Sequence, residues 1–145
     1  MCNVQILDMT LNDFDEIEPI YNSDFDDFWK ASNLKSELEN KNSKCIVAKL
    51  DNKIVGFATL WFSVDDAHIT NIVVHKSYRH CGIGSLLLER LIELAKVKAS
   101  ITLEVSIKNV YAQKLYFKYG FKNLGIRKKY YHGADDAFIM TLFFK

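Results

Sequence analysis

The chain has 145 residues, of which 49% are hydrophobic and 26% charged, a size and balance typical of one globular domain, which we expect to span residues 1–145. This composition excludes a disordered tail, a collagen-like chain and a disulfide-rich mini-protein. The formal net charge is +1 and no basic run is long, which argues against free nucleic acid as a direct partner.

The first third of the chain predicts a strand followed by two helices. Thr10 and Asp13 have the spacing of a capping box, which indicates the start of a helix. Pro19 is expected to kink or end that helix, because proline lacks the backbone N–H that a helix interior needs. A second helix is expected around Leu34 and Leu38.

The next segment predicts three strands. Residues 45–50 and 54–62 are rich in β-forming side chains, and the polar residues 51–53 between them indicate a hairpin. The pair Asp65-Asp66 predicts another turn, followed by a strand over residues 67–75.

A long helix and an alternating strand follow. Gly82-Ile83-Gly84 opens the helix, and its apolar positions recur at helical spacing. Residues 101–107 alternate between apolar side chains and the polar Thr102, Glu104 and Ser106, which is typical of a strand with one buried face. The apolar helix positions are Leu87, Leu88, Leu91, Ile92, Leu94 and Ala95.

The last third predicts a helix and two strands. Asn109 is expected to cap the helix, and Gly120 to end it. Strands are predicted over residues 125–131 and 137–144, around a turn at His132-Gly133. The complete order is strand, two helices, three strands, helix, strand, helix and two strands. It predicts an α/β protein with a mixed sheet and helices on its faces.

Cysteines and histidines give no sign of a metal site. Cys2, Cys45 and Cys81 are widely spaced, and they are interpreted as free thiols in a reducing compartment. The four histidines lack ligand spacing, so we expect no metal. The N-terminus lacks an export signal and no apolar run could cross a bilayer, so we expect a cytoplasmic protein without membrane contact.

Charge is distributed unevenly along the chain. Residues 1–40 hold ten acidic and two basic side chains, a net charge of −8, while residues 41–145 carry +9. One interpretation is a cationic partner for the first third and an anionic partner for the rest. The other is that these are solvated helix faces.

Residues 74–85 (VHKSYRHCGIGS) run from a strand through a loop into the long helix. Glycines let backbone amides approach a ligand closely, and a helix N-terminus adds N–H donors and partial positive charge. With Arg79 and Lys76, the loop suits a phosphate or pyrophosphate. It lacks the three glycines of a dinucleotide fingerprint and the Gly-Lys-Ser/Thr of a Walker loop. The remaining pattern is R-x-x-G-x-G, which by itself also fits an ordinary glycine-bearing turn.

Four blocks in order carry a family resemblance over nearly the whole chain, most strongly from His68 to Met140. They are HITNIVVHKSYRHCGIGSLLLERLI, TLEV, NVYAQKLYFKYGF and RKKYYHGADDAFIM. Together they resemble the RimI-type branch of the GNAT family of acetyl-CoA-dependent N-acetyltransferases. The resemblance implies the GNAT fold, with a mostly antiparallel central sheet flanked by helices. It also implies acetyl-CoA as cosubstrate and the N-terminal amine of a small-subunit ribosomal protein as acceptor.

The resemblance also implies roles for individual residues. Glu104 matches the general base and Tyr116 the general acid of the family. Asn109 matches a cofactor contact at a helix start. The strand residues that meet the acetyl and pantetheine portions are Ile72, Val73 and Val74. The pyrophosphate cradle comprises Arg79, His80, Cys81, Gly82, Ile83, Gly84 and Ser85.

The chemistry of Glu104 and Tyr116 is compatible with these roles. Acyl transfer to an amine needs a base for the amine and a proton for the leaving thiolate. Glu104 is the one ionisable residue on the polar face of its strand, and we expect burial to raise its pKa. The structural alternatives are a surface ion pair for Glu104 and a core aromatic for Tyr116.

Several positions depart from the family pattern, among them Ser106, Lys108 and His80, and they leave the acceptor open. The acidic residues Asp24, Asp26 and Asp27 are interpreted as steering a cationic acceptor segment. A GNAT enzyme for a polyamine, amino acid or aminoglycoside is the first alternative. A non-catalytic acetyl-CoA-binding module is the second. The oligomeric state stays open.

Overall fold

The computed structural model describes residues 3–20, 31–131 and 135–144. Its elements have the order that the sequence predicts, with short 3-10 turns at Glu18–Ile20 and Lys76–Tyr78. The helices are α1 (Leu11–Ile17), α2 (Ala31–Glu39), α3 (Ile83–Ala95) and α4 (Val110–Lys118). The strands are β1 (Val4–Asp8), β2 (Ser43–Leu50), β3 (Lys53–Phe62), β4 (Asp66–Val74), β5 (Ser100–Ser106), β6 (Lys122–Tyr131) and β7 (Asp135–Phe143).

Seven strands form one sheet in the order β1-β2-β3-β4-β5-β7-β6. All neighbours pair antiparallel except β4 and β5, which pair parallel. The mixed, mostly antiparallel sheet that the sequence and the resemblance predicted is therefore confirmed.

Local signals in the sequence fix several element ends. Thr10 and Asp13 form the predicted capping box, and Pro19 lies in the 3-10 turn that follows α1. In the β2–β3 hairpin, Asp51 and Asn52 have φ of 50° and 68°, the left-handed conformation that two-residue hairpin turns require. Gly120, with φ of 96°, ends the last helix as expected.

Helices cover both faces of the sheet. Helix α3 lies on one face, where Leu87, Leu88 and Leu91 are fully buried. Helices α1 and α2 lie on the other face, and Phe14 and Leu34 pack there against strand residues. The strand residues of this second cluster are Cys45, Val47, Ile54, Phe57 and Val73.

Helix α3 approaches β3 closely at Gly56. A Cβ added there would lie 3.0 Å from the Val73 carbonyl oxygen and 3.2 Å from Ile83 Cγ2. A Cβ at these distances would force its neighbours to shift by a few tenths of an ångström, so glycine is the best fit at this position. The close approach fixes the start of α3 against the middle of the sheet.

Strands β4 and β5 diverge after a short parallel pairing. The pairing runs from Asp66 opposite Ser100 to His68 opposite Thr102 and ends there. A bulge opposite Thr59 and Leu60 of β3 falls in β4 at the same level. The remaining halves of β4 and β5 leave an opening in the sheet, and this opening positions the site.

Several predicted strand boundaries are wrong by one to three residues. Strand β6 begins at Lys122 rather than at residue 125, and β4 ends at Val74. Ile107 lies beyond β5 and is 38% exposed, because the backbone turns there and the Gln113 side chain binds the carbonyls of residues 106 and 107. The predicted turn at His132-Gly133 lies outside the described residues.

Among the residues that the structure describes, no helix is long and apolar enough to span a bilayer.

Candidate active site

An open cavity of about 370 Å³ lies between the diverging end of β4, the loop that follows it and helix α4. Its volume is within the range of small-molecule sites. No carboxylate is among the described residues that line it, whereas Arg79 is. The lining residues are Ile72, Val73, Val74, Tyr78, Arg79, His80, Gly82, Ile83, Gly84, Asn109, Tyr111, Ala112, Leu115 and Tyr116.

The start of α3 forms one end of the cavity. Gly82 is its N-cap with φ of 85°, and it has no side chain to bind the first N–H groups of the helix. Those N–H groups and the helix dipole make this end of the cavity suited to an anion. The Arg79 side chain donates through Nε to the Val74 carbonyl oxygen at 3.3 Å, which holds the loop against β4.

Helix α4 forms the opposite wall. Asn109 caps it, with Oδ1 accepting the Ala112 N–H at 3.1 Å. Gln113 donates through Nε2 to the carbonyl oxygens of residues 106 and 107, each at 3.0 Å. These bonds attach the start of α4 to the end of β5, and so they fix the width of the opening.

His80 and Tyr111 make contact between the two walls. Their rings pack edge to face, with centroids 4.4 Å apart and planes at 79°. His80 belongs to the loop before α3, and Tyr111 to the first turn of α4. The cavity is therefore closed on this side by an aromatic pair.

Tyr116 lies inside this arrangement. It is 5% exposed, lines the cavity and packs against the Phe121 ring at 5.7 Å. The structure thus places the predicted general acid in the cavity wall. The same side chain is also part of the hydrophobic core. Its catalytic role stays a prediction.

Glu104 has a different environment from the one expected. Its carboxylate Oε2 lies 2.6 Å from Arg127 Nε, and its side chain is 23% exposed. Oε2 is buried, as expected, but β6 supplies a guanidinium to the polar face of β5, which the expectation did not include. The ion pair holds the carboxylate toward β6, and Glu104 does not line the cavity.

The cavity brings together ten of the thirteen predicted site residues. The other three are Cys81, Ser85 and Glu104, which are not among its lining. Cys81 is an exposed free thiol. The sequence interpretation missed Tyr78, Tyr111, Ala112 and Leu115 as lining residues. Helical spacing was the available signal for Ala112 and Leu115, because Ala112 lies three residues before Leu115 and four before Tyr116.

A second free thiol, Cys45, belongs to the core. Burial beside Glu37 raises the pKa of the Cys45 thiol to about 12, although Lys44 opposes the shift. The thiolate is therefore absent at neutral pH, and Cys45 is inert.

The acidic first third is in part structural. Asp13 is buried and pairs with Lys49 at 2.8 Å, and Asp8 pairs with Lys44 at 3.2 Å. These carboxylates form ion pairs with strand β2, and Asp13 also caps α1. The proposed steering residues Asp24, Asp26 and Asp27 lie outside the described residues.

The chain matches a known family and named relatives. The model of the Acetyltransferase (GNAT) family matches residues 14–121. A Bacillus subtilis (strain 168) protein, provisionally named a ribosomal protein bS18-alanine N-acetyltransferase, is 37% identical over 93% of this chain and 92% of its own. The Haemophilus influenzae protein of that name is 34% identical, over 79% of this chain and 82% of its own.

Solved structures share the fold. The crystal structure of the ribosomal-protein-S18-alanine N-acetyltransferase from Escherichia coli superposes with a TM-score of 0.86 at 28% identity, covering 96% of this chain and 92% of that chain. A Bacillus anthracis protein, provisionally named a streptothricin acetyltransferase, was solved with acetyl coenzyme A. It has a TM-score of 0.78 and 25% identity, covering 98% of this chain and 100% of its own.

Proposed function

Because the chain belongs to the GNAT acetyltransferase family, we propose that it acetylates the α-amine of the N-terminal alanine of ribosomal protein bS18. The enzyme class, an acetyl-CoA-dependent N-acetyltransferase, follows from the family. The acceptor is proposed from two relatives that carry this name and match most of the chain. The related E. coli structure has the same name. Such an acceptor locates the reaction in the cytoplasm.

The cavity residues fit acetyl-CoA. A pyrophosphate suits the cavity end formed by the α3 N-terminus and Arg79, where positive charge and N–H donors meet. The pantetheine arm suits the apolar wall of Ile72 and Val74. Its thioester supplies the activated acetyl group. The further proposed contacts are Val73, His80, Cys81, Gly82, Ile83, Gly84, Ser85 and Asn109.

Glu104 and Tyr116 are proposed to move the protons. The amine nitrogen attacks the thioester carbonyl carbon, so a C–N bond forms and the C–S bond breaks. Glu104 takes the proton that the amine loses, and the Tyr116 hydroxyl protonates the leaving thiolate. An α-amine has a pKa of about 7.7–8.0, against about 10.4 for lysine. A carboxylate is therefore a sufficient base for the α-amine of an N-terminus.

One observation carries this proposal. The cavity joins a helix N-terminus that suits an anion to the buried Tyr116 hydroxyl-bearing ring. An anionic cofactor held at the helix N-terminus would extend along β4 toward Tyr116. The divergence of β4 from β5 opens the sheet beside Glu104. A small-amine acceptor is the alternative, and the name of the B. anthracis structure is the observation that suggests it.

The test uses purified protein, acetyl-CoA and a peptide copying the N-terminus of bS18 from the same organism. Mass spectrometry locates the acetyl group, and thiol release gives the rate. We expect acetylation of the α-amine. Glu104→Gln and Tyr116→Phe are each expected to lower kcat by about 10²–10⁴-fold, the usual contribution of a general acid or base.

Matched controls come from the neighbouring surface. The Tyr119 hydroxyl binds Glu89 and neither residue lines the cavity, so Tyr119→Phe and Glu89→Gln should keep the rate within about threefold. Acetylation of polyamines or an aminoglycoside with none of the peptide would contradict the proposed acceptor. Cofactor binding without turnover on any amine would contradict the enzymatic role.

A further inference from the structure

The side chain of Asn71 in β4 presents a buried donor. Its amide nitrogen Nδ2 has almost no accessible surface, and within the described parts of the chain no acceptor binds it. Leaving such a group unsatisfied is destabilising, so native proteins rarely retain one without a use. The proposed catalytic mechanism gives Asn71 no role.

Strand alternation places Asn71 beside the opening, on the face of the sheet that α1 and α2 cover. Ile72 and Val74 pack against the α3 cluster, whereas Val73 packs against the α1–α2 cluster. Asn71 therefore shares the face of Val73. It lies opposite Thr59 of β3, beyond His68, where the pairing with β5 ends.

Glu104 shares that face from the other side of the opening. Leu103 and Val105 are 3% and 4% exposed and belong to the α3 cluster, so the side chain between them points to the opposite face. The parallel register places Glu104 two residues beyond Thr102, level with the β4 bulge that precedes Asn71. Asn71 and Glu104 thus lie on the same face of the two strands that border the opening.

The two groups have complementary chemistry. Asn71 Nδ2 only donates, and an ionised Glu104 only accepts. The attacking amine needs its lone pair for the thioester, so the Asn71 donor requires a different acceptor atom on the same substrate. At a peptide N-terminus the first carbonyl oxygen is the nearest one. A lysine side chain or a polyamine has no carbonyl at that position.

We infer that Asn71 donates a hydrogen bond to the first carbonyl of the acceptor peptide, and thereby restricts the enzyme to α-amines of polypeptides. This inference rests on the proposed function. Glu104 takes the amine end and Asn71 the carbonyl end of the same residue. Asn71 is a specificity-determining residue with no part in proton transfer.

The test pairs two enzymes with two substrates. The substrates are the bS18 N-terminal peptide and its isostere, in which a trans-alkene replaces the first amide and removes that carbonyl. For the native chain we expect kcat/KM to fall by roughly 10- to 100-fold on the isostere, the loss that follows an unsatisfied buried donor. On the peptide, Asn71→Ala and Asn71→Asp should each lower kcat/KM by the same 10- to 100-fold relative to the native chain. On the isostere, their kcat/KM should be close to that of the native chain.

The comparison is internally controlled. Every enzyme is measured with the same two amines. The difference in intrinsic pKa between the two amines therefore cancels when the peptide-to-isostere ratio of kcat/KM is compared between the native chain and a variant. Asn42→Ala, at an exposed turn, should retain the full discrimination. Acetyl-CoA affinity checks that each variant is folded. If the variants do not fold, the ratio of kcat/KM on the two substrates for the native enzyme is the test of the inference.

The outcomes separate this inference from the proposed function. No acetylation of the peptide by the native chain overturns both. Acetylation with less than threefold discrimination against the isostere overturns the role of Asn71 alone. An equal loss by Asn71→Ala on both substrates also overturns it, because it would show a structural role.

Discussion

His80 combines an unfavourable backbone conformation with a favourable ring contact. Its φ is 63°, in the left-handed region that costs a residue with a Cβ about 1–2 kcal/mol. Its edge-to-face contact with Tyr111 is worth about 0.5–1.5 kcal/mol. The contact therefore offsets much of the backbone cost, and it links the loop before α3 to helix α4.

The backbone at His80 matters more than its ring for cofactor binding. Glycine adopts the same φ without cost, so His80→Gly should keep the acetyl-CoA Kd within about threefold. His80→Val should raise the Kd about tenfold or more, because a β-branched side chain opposes positive φ. Isothermal titration calorimetry measures both values. Equal Kd values for the two variants would show that the loop conformation does not control binding.

The environment of Glu104 shows why residue-level chemistry escapes sequence reasoning. The alternation of β5 identifies a carboxylate on the polar face. Its partner Arg127 lies in β6, with β7 between the two strands. No local pattern links positions that far apart in the chain, so the ion pair requires the topology. Of the two catalytic candidates, the helical spacing of Tyr116 was readable and the pairing of Glu104 was not.

At the scale of elements, Asp13 joins a helix start to the sheet. Its carboxylate accepts the Thr10 N–H at 2.9 Å and pairs with Lys49 of β2 at 2.8 Å. Burial by itself would raise the pKa of the Asp13 carboxyl, but Lys49 and Thr10 outweigh burial and hold that pKa below its usual value. The ionised form is therefore the one that stabilises the fold.

The stability of the fold should depend on pH through Asp13. A lowered native pKa adds stability above the unfolded value of about 3.9, and this stability is lost as pH falls through the native value. Asp13→Asn should lower the free energy of unfolding by about 2 kcal/mol at pH 7, from the cap and the partly buried pair together. The difference from the native chain should narrow below about pH 4.

Urea denaturation at pH 7, 5 and 3.5 measures this difference. Asp8→Asn is the matched control, because the Asp8 side chain is 63% exposed in its pair with Lys44. An exposed pair contributes about 0.2–1 kcal/mol. A pH-independent difference for Asp13→Asn would show that the cap and the shape of the side chain, and not its charge, stabilise α1.

The order of elements was predictable because its signals are local. The capping box at Thr10 and Asp13, the hairpin turn at residues 51 and 52, and Gly120 each act within a few residues. The start of β6 was not predictable from alternation. Its register shifts between Asn123 and Gly125, and Leu124 is 57% exposed, so the period-two pattern is interrupted at the point where the strand begins.

At the scale of the whole molecule, the site depends on contacts that only the assembled sheet provides. The opening begins where the β4–β5 pairing ends, and α4 borders it through its attachment to the end of β5. Gly56 sets how closely α3 approaches the sheet. The sequence indicated each of these segments, but the sheet order and the divergence are non-local and follow from packing.

Since the cavity is bounded by β4, α3 and α4 together, a ligand that fills it should stabilise the whole fold. At one hundred times its Kd, acetyl-CoA should add about 2.7 kcal/mol to the free energy of unfolding and raise Tm by about 5–10 °C. S-acetylpantetheine lacks the pyrophosphate and should give a smaller shift at the same concentration. Differential scanning calorimetry measures the Tm shift that each of the two ligands causes, both in the native chain and in Arg79→Ala. Equal shifts from both ligands would place the binding energy in the apolar wall of β4 and remove the α3 N-terminus from the cofactor site.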